Sequence, residues 1–270
     1  MRLIDIYNEI EKIAPKSLSY EYCARFGAYD NSGILVDTGE EIDKVVFSLD
    51  FSCLAIERAI EENAKLIITH HPAIYSKIGD IRVNDFDPID AKLLTCIKNG
   101  ISVISMHLNL DVVKDGIDDA LAEGIRLSSG ACTKISENNV MHALCDVGYG
   151  KTYDIKEISL GALRDNVKKT FFTNRVEVYG EPDKIIKRVA SFCGGGADEE
   201  AVAFAKEQGA DVMVSSDFKH HVLLLAKESG VSVLTLTHYA SENYGFEQFY
   251  KKISESISLP CVFITDQEML

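Results

Sequence analysis

Three segments of this chain share one layout, and that layout constrains the fold more than any other feature. They are Asn63-Ala64-Lys65-Leu66-Ile67-Ile68-Thr69-His70-His71, Asn99-Gly100-Ile101-Ser102-Val103-Ile104-Ser105-Met106-His107 and Ser229-Gly230-Val231-Ser232-Val233-Leu234-Thr235-Leu236-Thr237-His238. In each, a helical stretch ends in a turn residue, a short apolar run follows, and histidine closes the run. Apolar runs of this length between helical patterns read as buried strands of a helix-covered sheet. The expected fold class is α/β, with strands and helices alternating along the chain.

Strands are expected at Gly33 to Val36, Val45 to Leu49, Lys65 to Thr69 and Ile101 to Met106, with helices near Leu3 to Ile13, Cys53 to Asn63, Asp87 to Lys98 and Ile117 to Glu123. Pro15 ends the first helix. The sequence turns polar from about Leu127 to Asn139, which places a domain boundary between residues 1–128 and 135–270. The second part repeats the style. Its strands are expected at His142 to Val147, Arg175 to Tyr179, Val189 to Cys193, Ala210 to Ser215, Val231 to Thr237 and Cys261 to Ile264, and its helices near Ala162 to Lys169, Asp198 to Gln208, His221 to Glu228 and Tyr244 to Ser256.

Open α/β sheets bind ligands outside the carboxyl ends of their strands, so histidines that close strands stand where a site forms. Two of them carry an acid four residues on, His107 with Asp111 and His238 with Glu242. If a helical turn follows the strand, that spacing puts both side chains on one face, as two ligands of one ion require. His70 and His71 are adjacent, and neighbours in extended backbone point to opposite sides. Six nitrogen and oxygen donors, His70, His71, His107, Asp111, His238 and Glu242, exceed what one tetrahedral ion uses, which suggests two divalent ions roughly 3.5–4 Å apart. Imidazole with carboxylate suits zinc, iron, manganese, nickel or cobalt, and spacing does not choose among them.

Other motifs read more plainly. Cys193-Gly194-Gly195-Gly196-Ala197-Asp198 is a tight strand-to-helix turn, lacking the lysine of a phosphate-binding loop. Asp30-Asn31-Ser32-Gly33 is a turn into a strand, and Asp50 with Ser52 reads as a cap on the following helix. His220 and His221, after Asp217, enter a helix and are read either as supports behind a site or as structural.

Composition limits the remaining classes. The 28 basic and 42 acidic residues leave a net charge of -14, which weighs against nucleic-acid binding. Seven scattered cysteines with no C-x-x-C pair fit neither a disulfide framework nor a thiolate zinc knuckle, and most are read as small core residues. No apolar run is long enough for a membrane span and the N-terminus lacks the pattern of a signal peptide, so a cytoplasmic location is expected.

With these motifs in order, the sequence resembles the dinuclear-metal family of GTP cyclohydrolase I type 2 homologues, also called Nif3-like. The motifs are Asp30-Asn31-Ser32-Gly33, Leu49-Asp50, His70-His71-Pro72, His107 with Asp111, Gly194-Gly195-Gly196 with Ala210-Asp211, and His238-Tyr239 with Glu242. The resemblance implies two α/β domains with mixed sheets covered by helices, a metal site in the cleft between them, and a ring-shaped homohexamer. It implies that His70, His71, Asp111, His238 and Glu242 hold two metals, with Glu242 bridging and His107 beside them. A metal-dependent hydrolase follows, with a metal-bridging water as nucleophile and a small-molecule substrate, a nucleotide attacked at C8 of its purine being the class that the family name suggests. In it His107 shuttles a proton or orients Asp111, and Tyr239 or Lys77 contacts substrate. The alternatives are a metal carrier or cofactor-assembly protein, and a regulatory protein whose metals only stabilise it. Thr237 and Ser215-Ser216-Asp217 depart from the family pattern and are expected to narrow the pocket.

Overall fold

Leu3, Ile6 and Ile10 fall on one helical face and are buried, with Asp5 in the first turn and Lys12 in the last, so α1 (Leu3–Ile13) forms where the period predicts. The computed structural model describes residues 1–78, 81–82, 88–131 and 139–270. Pro15 ends α1 and also stands at the N-cap of a second helix, α2 (Lys16–Phe26), which closes on left-handed Gly27. The chain continues through β1 (Gly33–Val36), β2 (Val45–Ser48), α3 (Cys53–Glu61), β3 (Leu66–Thr69), α4 (Pro88–Lys98), β4 (Ser102–Ser105) and the short α5 (Leu108–Val112). Then come α6 (Ile117–Ser128), β5 (Asn139–Leu144), β6 (Val147–Ser159), α7 (Leu160–Thr170), β7 (Glu177–Tyr179), β8 (Ile185–Ser191) and α8 (Glu199–Glu207). Last are β9 (Val212–Ser215), α9 (His220–Glu228), β10 (Ser232–Thr235), α10 (His238–Ser256) and β11 (Cys261–Ile264). Residues 132–138 of the polar stretch, Cys132 included, and Asp87 lie outside the described residues.

The chain divides into two compact units. The first is Met1–Val113 with Phe246–Asp266, the second Lys114–Gly245 with Gln267–Leu270. This division differs from one at residues 128–135. Helix α6 joins the second unit because Asp118 pairs with Lys151 of β6 and Gly124 lies against Phe171. The chain's end returns to the first unit because β11 adds in parallel to β2, and Phe47 packs its ring against Phe246, Phe249 and Tyr250.

The first unit holds a mixed five-stranded sheet in the order β1-β4-β3-β2-β11, with only β1 antiparallel. All four residues of β2, β3 and β4 are buried, as strands covered on both faces must be. Ser48 pairs with Thr69 and Thr69 with Ser105, so the three strands end level. Asp50, His70, His71 and His107 therefore leave the sheet side by side.

The second unit holds a mixed six-stranded sheet in the order β5-β6-β8-β9-β10-β7. Its parallel core is β8-β9-β10, in which Ser191 pairs with Val214 and Thr235 with Ser215. The Gly194 turn, Asp217 and His238 follow those strand ends. Beneath them, the fully buried Asp118 carboxylate accepts from Lys151 Nζ at 2.5 Å, Gly150 N at 3.0 Å and Cys193 N at 3.1 Å. Burial works against the Lys151 ammonium, but Asp118 and Asp119 outweigh it and hold its pKa above the ordinary lysine value.

Among the described residues no helix is long and apolar enough to cross a membrane. The six described cysteines are free; Cys96 and Cys193 are buried, Cys23 and Cys261 are half-buried, and Cys53 and Cys145 are exposed, so fewer of them are core residues than expected. Cys53 opens α3 on its outer face, and Cys145 sits at positive φ in the β5–β6 turn.

Candidate metal centre

In the first unit the rings of His70, His71 and His107 lie 5.0–5.9 Å apart. Each offers one ligand atom within 4.8 Å of the others. The short helix α5 places Asp111 one turn after His107, and Asp111 Oδ1 comes within 3.4 Å of His70 Nε2. In the second unit the first turn of α10, where Thr237 Oγ1 accepts from Ala240 N at 3.0 Å, puts His238 Nε2 3.1 Å from Glu242 Oε2.

The Nδ1 atom of every one of these histidines faces an acceptor. His70 Nδ1 meets the Met106 carbonyl at 2.7 Å, His71 Nδ1 meets Asp50 Oδ1 at 2.7 Å, and His107 Nδ1 meets Asp30 Oδ1 at 2.8 Å. His238 Nδ1 meets Asp217 Oδ2 at 2.5 Å. A carbonyl or carboxylate oxygen only accepts, so Nδ1 carries the proton and Nε2 is left as the lone-pair atom. Carboxylate or carbonyl behind imidazole is the arrangement that orients metal-ligating histidines and raises their basicity.

This fixes what the Nε2 atoms can do. His70 Nε2 faces a carboxylate of Asp111, and His238 Nε2 faces one of Glu242, acceptor toward acceptor. His70, Asp111 and Glu242 are buried, with 0%, 4% and 3% of their surfaces exposed. Such a pair is repulsive until a cation, a proton or a metal ion, lies between its members. The donor set of neutral imidazole and carboxylate fits a divalent transition metal.

Asp30, Asp50 and Asp217 supply the supporting carboxylates, although in the sequence Asp30 and Asp50 stand only as motif residues whose local readings are a turn and a cap. Asp30, read as a turn residue, is buried and also accepts from Ser19 Oγ at 2.5 Å and Ser32 Oγ at 2.6 Å. Burial works to raise its carboxyl, but the bonds from His107, Ser19 and Ser32 prevail and hold it at about 2. Burial likewise works to lower His107, and Asp30 with Asp111 raises it above the ordinary histidine value. Asp50 does not cap α3. Ser52 does, accepting from Ala55 N at 3.1 Å, while Asp50 turns to His71. For Asp50 and Asp217 the signal available was an acid two residues past a strand end.

Ser52→Ala is expected to cost about 1 kcal/mol of stability in urea denaturation and leave metal binding unchanged. Asp50→Asn is expected to do the reverse, weakening metal affinity about 10- to 100-fold in chelator competition. Equal affinity in the parent and Asp50→Asn would remove the role assigned to Asp50.

The other motifs settle as follows. In the glycine turn, Gly194 has φ 56°, and its carbonyl accepts from Ser215 Oγ at 3.2 Å and Ser216 Oγ at 2.5 Å. Ser215 and Ser216 are buried and brace that turn, so they do not narrow a pocket. Asp198 caps α8, as a strand-to-helix turn requires. His221 pairs with Glu199 at the surface, consistent with a structural role. Tyr239 is buried at 4% exposure and Lys77 is exposed, so Tyr239 does not present its ring as a substrate contact.

The family model described as Duf34/NIF3 (NGG1p interacting factor 3) matches residues 1–268. A Clostridium perfringens protein named GTP cyclohydrolase 1 type 2 homolog is 30% identical over 270 residues, covering 99% of this chain and 97% of its own. Among solved structures, reduced HcgD from Methanocaldococcus jannaschii superposes with a TM-score of 0.80 at 29% identity, covering 98% of each chain. A Staphylococcus aureus hypothetical protein superposes with a TM-score of 0.82 at 23% identity over 98% of this chain and 97% of its own, a likeness of fold.

Proposed function

Because the chain belongs to the Duf34/NIF3 family, we propose that it is a dinuclear divalent-metal protein that hydrolyses a small-molecule substrate. His70, His71, Asp111, His238 and Glu242 would hold the ions. The observation that carries this reading is the fixed Nδ1 proton of each histidine, which leaves Nε2 lone pairs set toward buried carboxylates. The resemblance in motif order supports the assignment of both units to one centre, in a homohexamer in the cytoplasm.

Divalent ions held there would supply Lewis acidity and an activated water at neutral pH. The chain's own residues do the rest. Asp50 and Asp217 hold the Nδ1 protons of His71 and His238 and so keep their rings aimed. His107, whose Nδ1 is held by Asp30 and whose pKa the Asp30 and Asp111 carboxylates raise above the ordinary histidine value, can take up a second proton and pass it to a leaving group. The name of the Clostridium perfringens relative makes a purine nucleotide the first substrate class to try.

The test is turnover of GTP and other nucleotides by protein reconstituted with zinc, iron, manganese, nickel or cobalt, followed by loss of the purine absorbance. The reading expects hydrolysis in at least one metal form and none in Glu242→Gln. Full metal occupancy with no turnover of any nucleotide would favour a metal carrier instead.

A further inference from the structure

The second unit contains a cavity of about 490 Å3 at the carboxyl ends of β9 and β10, beside the edge strand β7. A volume of that size at that position suits a small molecule. Its walls carry both signs of charge. Arg175 lines it from the segment leading into β7, Glu177 from the start of β7, and Asp217 from the loop after β9. Among the described residues the Arg175 guanidinium makes no hydrogen bond or ion pair. Glu177 accepts only from Tyr179 Oη, at 3.0 Å, and Asp217 only from His238, through Oδ2. One carboxylate oxygen of each acid is thus left to accept from something else. The lining also includes the apolar side chains of Val176, Leu223, Leu236 and Phe218, beside the polar Asn174, Thr235 and Thr237.

A guanidinium and two carboxylates that share a cavity without pairing match a ligand that is itself of mixed charge. We propose that this cavity binds a free amino acid or a close zwitterionic analogue. Its carboxylate would lie on Arg175, its ammonium between Glu177 and Asp217, and its side chain against those apolar side chains. Arg is suited to the first contact because its planar fork takes a carboxylate through two parallel bonds. The site needs no metal, so it stands or falls apart from the hydrolase reading.

The experiment is isothermal titration of the full chain with each of the twenty standard L-amino acids, at up to about 10 mM, well above a dissociation constant of roughly 1 mM. Saturable binding of at least one is expected. The amide of that amino acid, which lacks the carboxylate, and the deaminated acid, which lacks the ammonium, are each expected to bind about 10- to 100-fold more weakly. Arg175→Gln is expected to weaken the amino acid by the same factor, and Leu223→Trp to fill the cavity and abolish binding while circular dichroism is unchanged. Absence of saturable binding by all twenty overturns the proposal. So does parent-like binding by Arg175→Gln, or tight binding of the deaminated acid or inorganic phosphate, which would make the cavity a simple anion site.

Discussion

Replacing Lys151 with methionine is expected to cost about 3–5 kcal/mol of stability, read as the shift in a urea unfolding transition. The substitution keeps most of the side chain's volume and removes its charge together with the hydrogen bonds from Nζ to Asp118 and to the Gly148 carbonyl, so the loss is polar and not one of packing. Asp118 would be left fully buried with two backbone donors and no counter-ion. Adding Asp118→Asn is expected to return part of the loss, since a neutral amide oxygen can still accept from Gly150 N or Cys193 N. Full recovery is not expected, because one of those donors loses its partner. A cost below about 1 kcal/mol for Lys151→Met would mean that the pair contributes no more than a surface ion pair does.

Gly194→Ala is expected to remove metal binding, roughly 100-fold or more, without unfolding the second unit. At φ 56° an added Cβ pays about 1–2 kcal/mol of backbone strain. That Cβ would also overlap Glu242 Oε1 and come within 3.2 Å of His238 Nε2, so it must displace the carboxylate. Structural zinc sites are worth about 10–16 kcal/mol over four ligands, roughly 3 kcal/mol each, which sets the scale of the loss. Gly209→Ala is the control. Its φ is 70° and its Cβ meets nothing within 4 Å, so it carries the strain alone and is expected to bind metal like the parent. Similar metal loss in both variants would assign the effect to strain and not to Glu242.

The sequence revealed elements wherever one local signal dominated. The boundaries of α1, β1 and β11 fall at the residues expected, because amphipathic period, turn chemistry and an apolar run mark them. Helix α2 was hidden because it buries only Ser19 and Tyr22, leaving no apolar stripe to detect. Strand β6 was hidden for a related reason. Val147–Ser159 carries Gly148, Gly150, Lys151 and Asp154, residues poor in strand propensity whose places are set by contacts such as Asp118 with Lys151 and Arg188 with Asp154. The histidines were legible because strand ends in α/β sheets are predictable positions. Asp50 and Asp217 were not, since an acid after a strand looks the same whether it caps a helix or turns back to a histidine 21 residues away, and Asp30, ahead of β1, reads as a turn residue whose histidine lies 77 residues on.

The claim that both units furnish ligands for a pair of divalent ions is tested most directly by elemental analysis. The untagged chain would be purified without chelator, reconstituted, and measured beside His71→Ala and Glu242→Gln. The account predicts about two transition-metal atoms per chain in the parent, a large loss in each variant, and unchanged circular dichroism in all three. Fewer than about half an atom per chain in the reconstituted parent, with both variants no different, would contradict it.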